Sequence, residues 1–264
     1  MTPNRSFTCV VHSVFERVCN LRLCDGALIS LGRRDVSNSP GIILCRTDDE
    51  FQFMDYLHTD TPGACRGNIL RLGQNLQIDL RTAVAWQRRL AKVNACRLPD
   101  KWHSLLEYVR ANPKFDRVEN IIGDWDQYIG THNHLLMKLQ PLVGKGPGLT
   151  PLGDDFIVGM AAGLETHPKW RGLLSNWLTT VCQKTTDLSG QSLHYAALGW
   201  FTEPILEFVD SFSTPVAAAK LKRLLSIGDT SGTAMAYGCL IGIQAQQFID
   251  LETIPVAAAN SINQ

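Results

Sequence analysis

Residues 144–164, GKGPGLTPLGDDFIVGMAAGL, set a glycine- and proline-rich turn with one lysine and two adjacent aspartates directly before an almost wholly apolar run. Thr150 followed by Pro151 fits a helix N-cap with proline at the first helical position, where no amide hydrogen is needed. Asp154 and Asp155 then fall in the first turns, where the helix dipole favours negative charge. The glycines further along are costly, because each loses roughly 1 kcal/mol against alanine inside a helix.

The same register returns later. Gly153, Gly159 and Gly163 are spaced six then four, and so are Gly232, Gly238 and Gly242 in 228-GDTSGTAMAYGCLIG-242, each 79 positions on. Asp229 takes the place of Thr150 in this second unit. A spacing of four puts each glycine pair on one helix face, and a face of small residues lets another backbone approach closely. Both segments are apolar nearly all round, which predicts two buried central helices packed on each other. If their N-termini lie at one end, eight orphan amides converge there and make a small-anion site.

The rest of the chain divides in two. From Thr8 to about Leu80, short apolar runs alternate with turn residues (CVVHSVF, NLRL, ALISL, IILC, NILRLGQNLQIDL), which predicts strands and hairpins. From Trp86 onward AVAWQRRLAKV, KWHSLLEYVRA and NIIGDWDQYIGTHNHLLMKLQPLV have helical spacing, as do Arg171–Thr186, Gln191–Phe212 and Val216–Ile227. The expected fold is α+β: a β-rich domain, barrel-like or sandwich, over 1–95, and a mainly helical domain carrying the glycine loops over 96–264.

Lys+Arg and Asp+Glu balance at 25 each, so there is no basic excess to attract nucleic acid or an acidic membrane. No leader or membrane-spanning run is evident, and a cytoplasmic location is expected. The eight cysteines form no C-x-x-C pair and are expected to be mostly small core residues.

Chemistry-bearing candidates gather around the two turns. Lys145 supplies positive charge, while Gly144, Gly146 and Gly148 let the backbone approach a phosphate or carboxylate. Thr150 and Gly153 belong to the same turn, and Thr230, Ser231 and Gly232 complete the site with hydroxyl and amide donors. The segment is not a Walker A loop, because Lys145 precedes the glycines and no GK[ST] follows. Asp154 and Asp155 are candidates for steering a substrate amide or for holding Mg²⁺, although adjacent carboxylates at a helix start are more often cap and solvated surface. No residue is assigned as a metal ligand and no other cofactor is expected. His12-Ser13 and His194 are read as hydrogen-bonded structural groups, His132 and His134 carry no metal spacing, and Ser189 lacks a G-x-S-x-G setting.

The glycine segment, 226-SIGDTSGTAMAYGCLIG-242 and 12-HSVFERVCNLRL-23 together resemble the family containing the AllH subunit of bacterial oxamate carbamoyltransferase. The resemblance implies a multi-subunit enzyme with an FdrA-type subunit and a further partner, exchanging a carbamoyl group between oxalurate and phosphate to give oxamate and carbamoyl phosphate in anaerobic allantoin breakdown. Relatives often carry aspartate where this chain has Thr233 and histidine where it has Asp229. With phosphate, oxalurate or carbamoyl phosphate as the anion that the resemblance implies, the residues read above take these roles: Lys145 and the amides around Gly146 and Gly148 hold the anion, Ser231 and Gly232 support it, and Asp154 and Asp155 orient the carbamoyl NH₂ or a Mg²⁺, with Lys145, Asp154 and Asp155 the catalytic candidates. Two other readings stand beside it: a non-catalytic anion-binding or scaffold subunit, and a stand-alone Mg²⁺-dependent acyl or phosphoryl enzyme.

Overall fold

A computed structural model describes residues 6–86, 89–90, 101–125, 132–165 and 167–249. Seven strands come first: β1 (Phe7–Val14), β2 (Val18–Leu23), β3 (Leu28–Arg33), β4 (Ile42–Cys45), β5 (Pro62–Arg66), β6 (Ile69–Leu72) and β7 (Leu76–Asp79). They form one nearly closed, barrel-like sheet in the order β4-β3-β2-β1-β5-β6-β7. All pairings are antiparallel except β3 with β4. Alternation along the strands sends Val11, Leu21, Leu31, Leu70 and Leu72 into a core shared with Cys9, Cys19, Cys45 and Cys65. These thiols are inert core groups, and burial pushes that of Cys19 up to about 12. β5 was not expected, because Pro62-Gly63 reads as a turn; proline is tolerated here as the first residue of a strand.

Among the described residues nine α-helices follow: α1 (Trp102–Arg110), α2 (Phe115–Ile122), α3 (His132–Leu139), α4 (Leu152–Glu165), α5 (Pro168–Val181), α6 (Asp187–Ala197), α7 (Glu203–Ser211), α8 (Ala217–Leu225) and α9 (Ser231–Ile249). The chain is thus α+β. Two compact units are distinguishable. One runs to Arg89 and includes Trp200–Leu206, and the other runs from Leu90 to Gly199 and resumes at Glu207. The expected boundary at 95 lies outside the described residues.

Two helix expectations need correction. Residues 83–86 of AVAWQRRLAKV are irregular, and most of the remainder lies outside the described residues. The expected helix Gln191–Phe212 is two, α6 and α7, because Gly199 adopts φ +73 and ends the first.

The helical unit is organised around α4 and α9. Leu152 to Leu164 are all buried, so α4 is a central rod rather than a surface helix. The glycines explain how it packs. A Cβ at Gly159 would strike the carbonyl of Met235, and one at Gly238 would strike the carbonyl of Phe156. A Cβ at Gly163 would lie 2.5 Å from the Cys239 carbonyl, and one at Gly242 2.5 Å from the Met160 carbonyl. Subtracting 79 from the α9 numbers exchanges each contact with its mate. The two helices therefore run parallel, related by a local pseudo-twofold, with backbones in direct contact. Around them, Phe156 and Tyr237 pack at 5.5 Å between ring centres, flanked by Trp125 and Phe115.

Candidate functional site at the paired helix starts

Parallel packing brings the beginnings of α4 and α9 together, with the Thr150 hydroxyl 3.4 Å from that of Ser231. The repeat extends to the turns. A Cβ at Gly153 would collide with the Leu142 carbonyl, and one at Gly232 with the Leu224 carbonyl, so each start is pressed against the preceding segment by the equivalent glycine.

The loop before α4 needs its glycines for backbone reasons. Gly144, Gly146 and Gly148 have φ of +70, +123 and +89, a region that other residues enter only with strain. A Cβ at Gly146 would also sit 2.8 Å from the Leu152 amide nitrogen, so the loop lies directly on the helix start. Lys145 is exposed, and its ammonium has no hydrogen bond or ion pair among the described residues.

The eight helix-start amides are not all open, as had been expected. Gly153 N–H donates to the Lys145 carbonyl, and those of Asp154 and Asp155 donate to Pro151. In the second unit Gly232 N–H donates to Ile227, while those of Thr233 and Ala234 donate to Thr230. Six donors are thereby used, leaving among the described residues the amides of Leu152 and Ser231. The capping expectation also shifts. α4 begins at Leu152, one residue later than Pro151, and Asp229 forms an ion pair at 2.6 Å with Arg117 of α2.

Asp154 and Asp155 differ although adjacent. Asp154 accepts from the Gly144 N–H at 2.9 Å, from the Thr185 hydroxyl at 2.5 Å and from the Ser189 hydroxyl. It clasps the glycine loop to the start of α6. Burial raises its pKa, and these hydrogen bonds oppose the rise. Asp155 is 4 % exposed, receives the Ser231 hydroxyl, and has an Oδ2 without a partner. Its pKa is pushed up to about 7 mainly by burial, with the Asp154 charge adding to the rise.

Sequence reasoning did not find two contributors to this region. Thr185, Thr186 and Ser189 bring a third helix start: Thr186 caps α6 by accepting from Ser189 N–H and donates to the Leu149 carbonyl. A threonine directly before an acidic residue at the head of a helical run is the signal that marks such a cap. Arg117 and Lys114 form the second group, with the Lys114 ammonium 3.2 Å from the Gly228 carbonyl. Nothing local in the sequence ties α2 to a turn more than 110 residues away. Thr233, already marked in the sequence as a departure from relatives, has a fully buried, unpaired hydroxyl at the position equivalent to Asp154.

Of the remaining candidates, Ser189 reaches this site through Asp154. Among the described residues no group of three or more His, Cys, Asp and Glu side chains is arranged for a metal. His12 lies in a polar chain on β1–β3, where Ser30 donates to Asn20 at 2.7 Å, Asn20 to Ser13 at 2.9 Å, and Ser13 lies 3.1 Å from His12 Nδ1. Ser189 serves Asp154 as a hydrogen-bond donor. No described helix is long and apolar enough to cross a membrane.

A barrel-like β unit followed by a helical unit built on a duplicated glycine turn and helix, with hydroxyls and a buried carboxylate at the paired starts, defines the class. The chain belongs to the AllH family: residues 142–243 match the model described as oxamate carbamoyltransferase subunit AllH, and residues 2–86 match the AllH family N-terminal domain. The first match takes in both glycine units, from the Leu142 carbonyl that faces Gly153 to just beyond Gly242. No solved structure matches.

Proposed function

We propose that this chain is a subunit of a carbamoyltransferase that exchanges a carbamoyl group between oxalurate, or a related ureido acid, and phosphate at the paired starts of α4 and α9. The observation that carries the reading is the free, buried Oδ2 of Asp155 beside Ser231, at helix starts where the amides of Leu152 and Ser231 stay open among the described residues. A plain anion has no use for a buried acceptor. An anion that also carries N–H groups does, and ureido acids and carbamoyl phosphate are such molecules.

In this reading a phosphate oxygen attacks the carbamoyl carbon of oxalurate, the C–N bond to the oxamate nitrogen breaks, and the phosphate proton ends on that nitrogen. No enzyme nucleophile is needed. The work is to hold two anions together and to stabilise charge on the carbonyl oxygen. Lys145 and the loop of Gly144, Gly146 and Gly148 receive the phosphate. The amides of Leu152 and Ser231 and the hydroxyls of Thr150 and Thr230 are the donors, the Ser231 hydroxyl supports the site by holding Asp155, and Gly153 and Gly232 allow the turns to approach. Asp155 orients the carbamoyl NH₂. Asp154 holds the loop in place, with its oxygens already engaged.

The test uses the assembled enzyme with oxalurate and phosphate, reading carbamoyl phosphate. Lys145→Met is expected to raise KM for phosphate about tenfold or more, and Asp155→Asn to lower kcat/KM for oxalurate by roughly a hundredfold. Unchanged constants in both variants would remove the reading. Unchanged turnover with weakened anion binding to the isolated chain would favour an anion-sensing subunit instead.

A further inference from the structure

In the β unit, one side bears an apolar patch that the fold leaves uncovered. The Phe53 N–H donates to the Glu16 carbonyl at 2.9 Å, pinning the segment after β4 to the β1–β2 turn. Phe15 and Met54, each one residue from that bond, are 47 % and 51 % exposed. Tyr56 is 46 % exposed and stacks on Phe51 at 5.1 Å, which in turn meets the buried Phe53 edge-on at 5.0 Å. The exposed aromatic is thus braced on the core and loses little freedom on being covered. Rigid aromatics and methionine are the side chains that anchor protein interfaces.

The free charges around the patch are unequal. Arg33 and Arg34 are turned to Asp35 and Asp49, and Arg33 also donates to the Asp49 and Phe51 carbonyls. Arg17 faces Asp35 at 3.6 Å. Glu16, Asp48, Glu50 and Asp55 are exposed and make no ion pair among the described residues, against one exposed arginine, Arg46, that likewise makes none, so the free charge is net acidic. The rim left for a partner is therefore acidic. A second copy docking symmetrically would bring this acidic rim against itself, which like-charge repulsion opposes.

We infer that the Phe15, Met54 and Tyr56 patch docks a companion subunit of the enzyme through an apolar anchor flanked by Lys or Arg. The inference uses membership of a subunit family and is independent of the anion site.

Full-length chain and the recombinant companion subunits are mixed, and association is measured by titration calorimetry at about 50 and about 500 mM salt, either side of strong screening. Wild-type affinity is expected to fall with salt. The Phe15→Ala, Met54→Ala double variant and the Asp48→Lys, Glu50→Lys double variant are each expected to weaken binding about tenfold or more. Met137→Ala, exposed on α3, is expected to bind as wild type. Thermal melts confirm folding, and the charge variant alters only exposed positions. Wild-type affinity in both double variants overturns the inference while leaving the subunit assignment intact. So does self-association of the isolated chain that these substitutions abolish. No binding of wild type to any companion overturns both.

Discussion

The starts of α4 and α9 share one backbone plan and carry different side chains. Glycines 79 residues apart make reciprocal contacts, and both turns fold a carbonyl back onto the amide of the first glycine. Yet Asp154 is replaced by Thr233, Asp155 by Ala234, and Thr150 by Asp229. What is kept is what close backbone packing demands; what differs is the chemistry exposed at the shared end. The first start has its carboxylates buried inside the helix and a threonine before it, and the second reverses this, with Thr233 inside the helix and Asp229 before it. An asymmetric ligand fits such a pair better than a symmetric one.

The glycine contacts give the largest test of the common plan. Gly159→Ala and Gly238→Ala each force the helices apart against a facing carbonyl, and each is expected to cost about 3 kcal/mol or more in urea unfolding. The two values should agree closely, because the pseudo-twofold exchanges their contacts. Gly172 on α5 is the contrast: nothing lies within 4 Å of its missing Cβ, so Gly172→Ala should stabilise by up to about 1 kcal/mol through helix propensity. A destabilised Gly159→Ala beside an unaffected Gly238→Ala would break the equivalence.

The next largest effect belongs to the acidic start alone. Burial raises the Asp155 pKa from 3.8 to about 7, so the folded chain binds this proton more tightly than the unfolded chain. Its stabilising contribution is fully present below the unfolded value, declines as pH rises, and is gone once pH has passed through about 7. Asp155→Asn removes that dependence. Relative to wild type it should gain little at about pH 4 and on the order of a few kcal/mol at about pH 8, read as the difference in Tm across a pH series. A constant difference across the series would mean that the carboxylate is not buried as described.

Asp154→Ala should cost about 1–3 kcal/mol, because Gly144 N–H and the Thr185 and Ser189 hydroxyls lose their acceptor. Hydrogen exchange at the Gly144 amide should rise with it, and an unchanged rate would deny the clasp. This residue also marks where sequence reading stops. The glycine register was enough to expect two buried helices in contact, since only a close backbone neighbour offsets four helix-interior glycines. The carboxylates were legible as a pair but not as a clasp and a free group, because the distinction is made by Thr185 and Ser189, more than 30 residues away. The filled amides were equally hidden. A carbonyl folded back by a turn, like those of Lys145 and Ile227, has no side chain to announce it.

The smallest expected effect probes the same position in the other unit. Thr233 occupies the place of Asp154, fully buried, with its hydroxyl unpaired. A buried hydroxyl without a partner carries a desolvation cost of roughly 1 kcal/mol that a methyl group of the same shape avoids. Thr233→Val should therefore stabilise by up to about 1 kcal/mol, opposite in sign to Asp154→Ala at the equivalent site. The measurement is the urea midpoint with the slope unchanged. A loss of more than about 1 kcal/mol would show that the hydroxyl is paired in solution. In that case the second start would be clasped like the first, and the contrast between the two would narrow to Asp155.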